Sequence, residues 1–161
     1  MILKGKRGLI MGVANDHSIA WGIAQSLAAH GAQIAFTYQG DAQKKRLAPL
    51  ASSIGSGLVM PADVESDEQL DAVFATLKQE WGTIDFLVHA IAFSDKDELK
   101  GKYVDTSRGN FLRTLDISCF SFAARPSTMP RIIACYGPSQ TAALLIDLAR
   151  NIGGSDPAPL Q

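Results

Sequence analysis

The chain has 161 residues, of which 47% are hydrophobic and 19% are charged. It contains no apolar stretch near the ~20 residues that span a bilayer, so length and composition predict one soluble globular domain with a single core. The formal net charge of -1, from 15 basic and 16 acidic side chains, gives no electrostatic reason to expect a nucleic acid or an anionic membrane as a partner.

The first predicted strand, around residues 8–11, runs directly into a glycine-bearing turn and a helix start. Gly12 permits a tight turn, Ser18 can cap the helix and offer its hydroxyl to a phosphate, and Gly22 would let helix and sheet approach closely. The helix start presents unpaired N–H groups and the positive dipole end to an anion. The spacing departs from G-x-G-x-x-G, so it favours a dinucleotide pyrophosphate site and an ordinary βα turn equally.

The rest of the first two thirds alternates strand and helix patterns, which predicts an α/β fold with a doubly wound, Rossmann-like parallel sheet. Further strands are predicted around residues 33–37, 58–61 and 86–90. The first helix has an apolar face and ends near Gly31, which suits a helix C-cap. The second, over 41–54, is predicted to be interrupted by Pro49.

The third and fourth helices are predicted from their N-caps and apolar spacing. Ser66 and Gln69 form a capping box for the third helix, and Thr106 or Ser107 can open the fourth. The third helix carries Leu70, Val73, Phe74, Leu77 and Trp81 at helical spacing, and the fourth is predicted to bury Phe111, Leu112, Leu115, Cys119 and Phe122.

The chain changes character near residue 125, where a proline-containing segment breaks the helix. We expect a domain over residues 1–124 and a divergent tail over 125–161, with a possible short strand in 132–136 and a helix over 141–152. The two cysteines lack metal-like spacing, so no metal site is predicted. Without a signal-peptide pattern at the start, the expected location is the cytoplasm.

Five segments of the first 124 residues carry a family resemblance. They are Gly12-Val13-Ala14 with Ser18-Ile19-Ala20-Trp21-Gly22-Ile23-Ala24, Ala35-Phe36-Thr37-Tyr38-Gln39, Ala62-Asp63-Val64, Phe86-Leu87-Val88-His89-Ala90-Ile91-Ala92-Phe93 and Ile117-Ser118-Cys119-Phe120-Ser121-Phe122. Together they resemble bacterial enoyl-[acyl-carrier-protein] reductases of the short-chain dehydrogenase/reductase superfamily. The resemblance implies NADH-dependent reduction of the trans-2,3 double bond of an enoyl thioester on acyl carrier protein in fatty-acid biosynthesis, by hydride transfer to C3 and protonation of the enolate.

The resemblance also implies a set of cofactor-binding residues beyond the carboxyl ends of the strands. Gly12, Ser18, Ile19 and Ala20 would hold the pyrophosphate and nicotinamide side, Gln39 would lie by the adenosine ribose, Asp63 and Val64 would frame the adenine, and Ala90, Ile91 and Ala92 would line the nicotinamide side, with Phe93 beside the substrate pocket. Asp63 alone could equally cap a turn.

Two further interpretations concern the cofactor and His89. The basic run of residues 44–46 is interpreted as a solvated helix face, and Gln39 favours NADH, with NADPH as the alternative. His89 is interpreted as a structural histidine at a strand end rather than a catalyst.

The family's catalytic pair, a tyrosine followed seven positions later by a lysine, is not found. No lysine follows Lys102, and Ala143 stands seven positions after Tyr136. No catalytic residue is therefore predicted, and the alternative function is an inactive nucleotide-binding fragment.

The resemblance ends near residue 124, so the Rossmann-like fold is expected to be truncated after the fourth helix. A shifted reading frame or truncated gene product, and a genuine divergent protein, both explain the junction. The family's homotetramer is not expected to be retained. Loss of the later strands would leave the fourth strand as an exposed sheet edge.

Overall fold

The computed structural model describes residues 1–123 and the backbone of residues 133–134. Five parallel strands form one sheet in the order β3-β2-β1-β4-β5. The elements are β1 Arg7–Met11, α1 Ile19–Ala29, β2 Gln33–Tyr38, α2 Asp41–Ser53, β3 Val59–Pro61, α3 Asp67–Trp81, β4 Phe86–His89, short 3₁₀ turns Lys96–Leu99 and Tyr103–Asp105, α4 Arg108–Leu115, a π-helical turn Asp116–Phe120, α5 Ser121–Ala123 and β5 Ile133–Ala134. The predicted doubly wound, Rossmann-like sheet is confirmed.

The central strand β1 is buried on both faces, as a strand of a covered parallel sheet must be. Leu9 and Ile10 are both fully buried and point to opposite faces. Leu9 belongs to a core shared with Leu70 and Leu77 of α3, and Ile10 to a core shared with Leu47 of α2. Because β1 lies between β2 and β4, its carboxyl end is where the strand order reverses, and ligands bind in open α/β sheets at such a switch point.

The first helix ends as predicted but packs differently. Gly31 has a φ of +94°, and its N–H donates to the carbonyl of Ala28 at 2.9 Å, which is the behaviour expected just past a helix C-cap. The predicted packing role of Gly22 is wrong: this glycine is exposed, and a Cβ built on it would meet nothing within 4 Å. The small residues that face the sheet are Ala20 and Ala24, at 1% and 0% exposure.

The predicted interruption of α2 by Pro49 is also wrong. The helix runs from Asp41 to Ser53 with Pro49 inside it. Pro49 and Lys45, the residue whose carbonyl loses its intrahelical donor, are both exposed, so water can replace the missing hydrogen bond. Leu47, fully buried, anchors the helix on its other side.

The predicted capping box of α3 forms only in half. The hydroxyl of Ser66 accepts a hydrogen bond from the Gln69 N–H at 3.3 Å, as predicted. The Gln69 side chain reaches the N–H of Asp63 instead of that of Ser66, at 2.9 Å. Gln69, which was predicted to complete the capping box, therefore ties the β3–α3 loop to the helix instead.

The predicted inward face of the fourth helix is partly wrong. Leu112 is 58% exposed, whereas Ile117, Ser118 and Ser121 are buried. The two serines face inward because their hydroxyls bond to His89, at the end of β4, and to the N–H of Phe93, after β4. The chain from residue 116 to 120 forms a π-helical turn that shifts the helix register.

The expectation that β4 would form the sheet edge is wrong, because β5 pairs with it. Phe86 aligns with Ile133 and Leu87 with Ala134, in parallel register. This strand lies within the 132–136 segment predicted from sequence, while the helix predicted over 141–152 lies outside the described residues. Nowhere in the described part of the chain is a helix both long enough and apolar enough to cross a membrane.

Candidate functional site

A cleft of about 220 Å³ lies above the carboxyl ends of β1, β2, β3 and β4. Seven of the ten predicted cofactor-binding residues line it: Gly12, Gln39, Asp63, Val64, Ala90, Ile91 and Ala92. The other three, Ser18, Ile19 and Ala20, are not among the lining residues. The cleft therefore joins loops that follow four different strands.

Gly12 is required at its position by the close approach of two backbones. Its φ is +93°, and a Cβ placed on it would lie 2.1 Å from the carbonyl oxygen of Ala90. Any side chain there would push the β1–α1 turn away from the segment that follows β4. The glycine of the predicted phosphate loop thus also holds two walls of the cleft together.

The start of α1 has the open amides that an anion site needs, but Ser18 does not cap it with its side chain. Ser18 is at the N-cap position, and its hydroxyl donates to the carbonyl of Asn15 at 2.7 Å instead. The first intrahelical N–H donors are those of Trp21 and Gly22. Within residues 1–123, the N–H groups of Ile19 and Ala20 have no hydrogen-bond partner.

Asp63 both forms a turn and lines the cleft. Its Oδ1 accepts from the N–H of Glu65 at 3.0 Å, and its Oδ2 accepts from Nε2 of Gln39 at 3.2 Å. The turn-capping alternative is therefore correct as a description of this residue. It leaves room for a second role, since a carboxylate has about four lone-pair sites.

Two side chains of α2 that the sequence did not single out as site residues hold the loop after β1. Gln43 donates from Nε2 to the carbonyl of Val13 at 2.9 Å, and Arg46 donates from Nε to that of Ala14 at 2.9 Å. Arg46 belongs to the basic run interpreted as a solvated face, so that interpretation is incomplete. The spacing of residues along α2 could not reveal these contacts, because they join residues that are 30 and 32 positions apart in the sequence.

An ion pair at the cleft was also missed from sequence. Arg113 donates from Nε and Nη2 to the two carboxylate oxygens of Glu65, both at 2.9 Å, and its Cζ lies 4.7 Å from the ring centroid of Phe93. The hydrogen bonds from Arg113 lower the pKa of Glu65, and the same contacts raise the pKa of Arg113. All three residues line the cleft.

The segment after β4 is fixed by two serines. Ser118 Oγ accepts from the N–H of Phe93 at 3.1 Å, and Ser121 Oγ lies 2.7 Å from Nε2 of His89. Because the Ser121 hydroxyl donates to the carbonyl of Ile117 at 2.6 Å, it accepts from Nε2–H of His89. Burial lowers the pKa of His89 to about 4, so the ring is neutral at neutral pH. These contacts support the structural interpretation of this histidine.

A second hollow, of about 510 Å³, adjoins the cleft and shares Ala92 and Phe93 with it. Leu99, Tyr103, Phe111 and Leu115 give it an apolar lining. The carboxylate of Glu98 closes the loop around it by accepting from the N–H and hydroxyl of Ser107, at 2.8 and 2.7 Å. Thr114 Oγ1, on a lining residue, is buried and has no hydrogen-bond partner among the described residues.

Comparison with known proteins gives consistent matches. The model of the family described as "Enoyl-(Acyl carrier protein) reductase" matches residues 12–139. Enoyl-[acyl-carrier-protein] reductase [NADH] 2 of Rhizobium meliloti is 63% identical over 121 residues, which are 75% of this chain and 45% of that protein. The chain spans about half the length of the curated relatives it matches.

Two solved structures show the same likeness. The reductase of Anaplasma phagocytophilum in complex with NAD has 56% identity and a TM-score of 0.74, covering 77% of this chain and 47% of that one. The Bacillus cereus enoyl-acyl carrier protein reductase, with NADP+ and indole naphthyridinone, has 50% identity and a TM-score of 0.74, covering 76% of this chain and 49% of that one.

Proposed function

Because the chain belongs to the enoyl-(acyl carrier protein) reductase family, we propose that it binds NADH in the cleft above the sheet. The reaction it serves is reduction of the double bond of an enoyl thioester on acyl carrier protein, in cytoplasmic fatty-acid synthesis. Residues 1–124 form the dinucleotide-binding domain in this proposal, and 125–161 form a divergent tail.

The observation that carries the proposal is that a cleft with a mixed polar and apolar lining and an apolar hollow meet at one segment. Ala92 and Phe93 line both. A dinucleotide lying along the cleft would end beside these residues, and the acyl part of a thioester suits the apolar lining of the hollow.

The residues present fit a dinucleotide. The open amides of Ile19 and Ala20, which lie outside the lining of the cleft, would donate to the pyrophosphate, and Gly12 lets the turn after β1 lie against the segment after β4. Asp63 and Val64 would frame the adenine, Gln39 would lie by its ribose, and Ala90, Ile91 and Ala92 would line the nicotinamide side. NADH, when bound, supplies the hydride.

One contact favours NADH over NADPH: Gln39, a neutral side chain at the end of β2, is engaged with Asp63. Arg46 uses only Nε on the Ala14 carbonyl, so its Nη donors remain available to a 2′-phosphate. Because the Bacillus cereus structure contains NADP+, both cofactors belong in the binding test.

The second candidate function is nucleotide binding without turnover. The sequence favours it because the family's tyrosine–lysine pair is not found: no lysine follows Lys102, and Ala143 stands seven positions after Tyr136. A tyrosine hydroxyl in the family pair would donate to the oxyanion that forms on the thioester. Without it, the 161-residue chain would hold the cofactor and reduce nothing.

The test combines binding and turnover on the 161-residue chain. Calorimetric titration with NADH is expected to show saturable binding, with NADPH weaker. Loss of NADH absorbance with a crotonyl thioester then selects the reductase, and binding without that loss selects the nucleotide-binding alternative. Folded protein that binds neither dinucleotide would overturn both candidates.

A further inference from the structure

The ion pair between Glu65 and Arg113 begins at the end of the cleft assigned to the adenine, and Arg113 also contacts Phe93, which borders the apolar hollow. Glu65 follows Asp63 by two residues and donates its N–H to that carboxylate, so the pair stands next to Asp63 and Val64. Arg113 comes from α4, on the other side of the cleft. The pair therefore connects the β3–α3 loop to α4 beside the position assigned above to the adenine.

Charge at this end argues against a phosphate ligand. Among the residues that line the cleft, the charged ones are Asp63, Glu65 and Arg113, which together leave an excess of one negative charge. The Nε and Nη2 donors of Arg113 are both committed to Glu65. Two of its five N–H groups are held by Glu65 and one of its faces lies against Phe93, so the opposite face remains as a surface for a ring.

The guanidinium is also held in orientation. Its two parallel hydrogen bonds form a fork with the Glu65 carboxylate, and its Cζ lies 4.7 Å from the centroid of the Phe93 ring. The Arg113 side chain nevertheless stays 52% exposed. A planar group that is fixed and accessible is suited to stack on a nucleobase.

We propose that Arg113 is a cofactor-binding residue that stacks on the adenine base of the dinucleotide, with Glu65 as the positioning residue that holds its plane. The inference rests on the proposed function and adds to it a contact that neither the motif segments nor the strand-end rule assigns. Stacking uses the face of the base, so this contact is independent of the exocyclic amine that Asp63 would accept.

The test measures binding of the two halves of the cofactor to Arg113→Leu. Affinity for AMP and for NADH is expected to fall about tenfold, the loss of one stacking contact, while affinity for reduced nicotinamide mononucleotide stays unchanged. Glu65→Gln should give a smaller loss of the same kind. The matched control is Arg108→Leu, because Arg108 is exposed on the first turn of the same helix and does not line the cleft.

A base analogue separates stacking from hydrogen bonding. The dinucleotide with hypoxanthine in place of adenine lacks the amine but keeps the flat ring, so Arg113→Leu should weaken it by the same factor as NADH. Unchanged AMP affinity in Arg113→Leu, or equal weakening of both half-cofactors, would overturn the inference while NADH binding by the unmodified chain still supports the proposed function. A thermal melt of each variant shows that it is folded.

Discussion

The buried side chains beneath the two sides of the cleft differ in polarity. On the β1–β3 side the groups beneath the loops are mostly apolar, among them the fully buried Leu9 and Phe36, and Thr37 is a buried polar residue there. On the β4–α4 side the inward groups include His89, Ser118 and Ser121, which are paired by hydrogen bonds. The spacing of apolar residues along a helix therefore identifies its buried face only where that face is filled by apolar side chains.

The largest expected effect is on the β1 side, at Gly12. Gly12→Ala would bring a Cβ to within 2.1 Å of the Ala90 carbonyl oxygen at a positive φ. We expect a loss of about 2–4 kcal/mol in the free energy of unfolding, and loss of NADH binding. Urea denaturation measures the first. Gly57→Ala is the control, since Gly57 is exposed and a Cβ there meets nothing within 4 Å; equal effects of the two variants would contradict the close-packing argument.

The second expected effect is a pH dependence from His89, on the β4 side. Its pKa is about 4 in the folded chain, because burial disfavours the charged ring, and near the ordinary 6.5 in the unfolded chain. Between these values the unfolded chain binds more protons, so the free energy of unfolding falls as pH drops from 6.5 to 4, by about 3 kcal/mol.

The measurement for His89 is a set of urea denaturation curves from pH 7 to pH 4, compared with those of His89→Gln. The glutamine retains a donor for Ser121 but does not titrate. The difference between the two proteins should shrink as pH falls through this window, and a constant difference would show that His89 is already solvated in the folded chain.

A third effect concerns the hydroxyl that pairs with His89. Ser121→Ala removes the acceptor of the His89 Nε2–H and leaves that donor buried, which should lower the free energy of unfolding by about 2 kcal/mol. Ser53→Ala is the matched control, because its hydroxyl bonds to the Leu50 carbonyl on an exposed helix end. Similar losses from both serines would contradict the distinction between the two sides of the cleft.

The smallest effect returns to the β1 side. Arg46→Leu removes an exposed hydrogen bond to the Ala14 carbonyl and should destabilise the chain by about 0.5–1 kcal/mol. Lys45→Leu, on the same exposed surface, should change the free energy of unfolding by less. If denaturant midpoints rank them the other way, the contact from α2 does not hold the turn after β1.

Much of the fold could be predicted because its signals are local. Alternating strands and helices, the glycine after α1 and the serine before α3 each act within a few residues of where they stand. The path of α2 through Pro49 could not be read in this way, because it depends on whether the carbonyl that loses its donor faces water. The inward serines of the fourth helix were missed because their partners lie 25 and 32 residues away.

The residues of the candidate site likewise divide into those that local patterns indicate and those that depend on contacts between distant parts of the sequence. The family resemblance assigned Gly12, Gln39, Asp63 and Ala90 to the cofactor, and all four line the cleft because parallel strands bring their carboxyl ends to one edge. The ion pair of Glu65 with Arg113 spans 48 residues and joins two elements that no local pattern relates. Its cofactor role, like that of the other site residues, stays a prediction for the binding experiments.

The contact of Gly12 with Ala90 has a mechanical consequence. No side chain stands between these two main chains, so the turn after β1 has no space in which to move toward the segment after β4. The next residues of that segment, Ala92 and Phe93, border the apolar hollow. The two loops are thereby braced against each other by main chain alone.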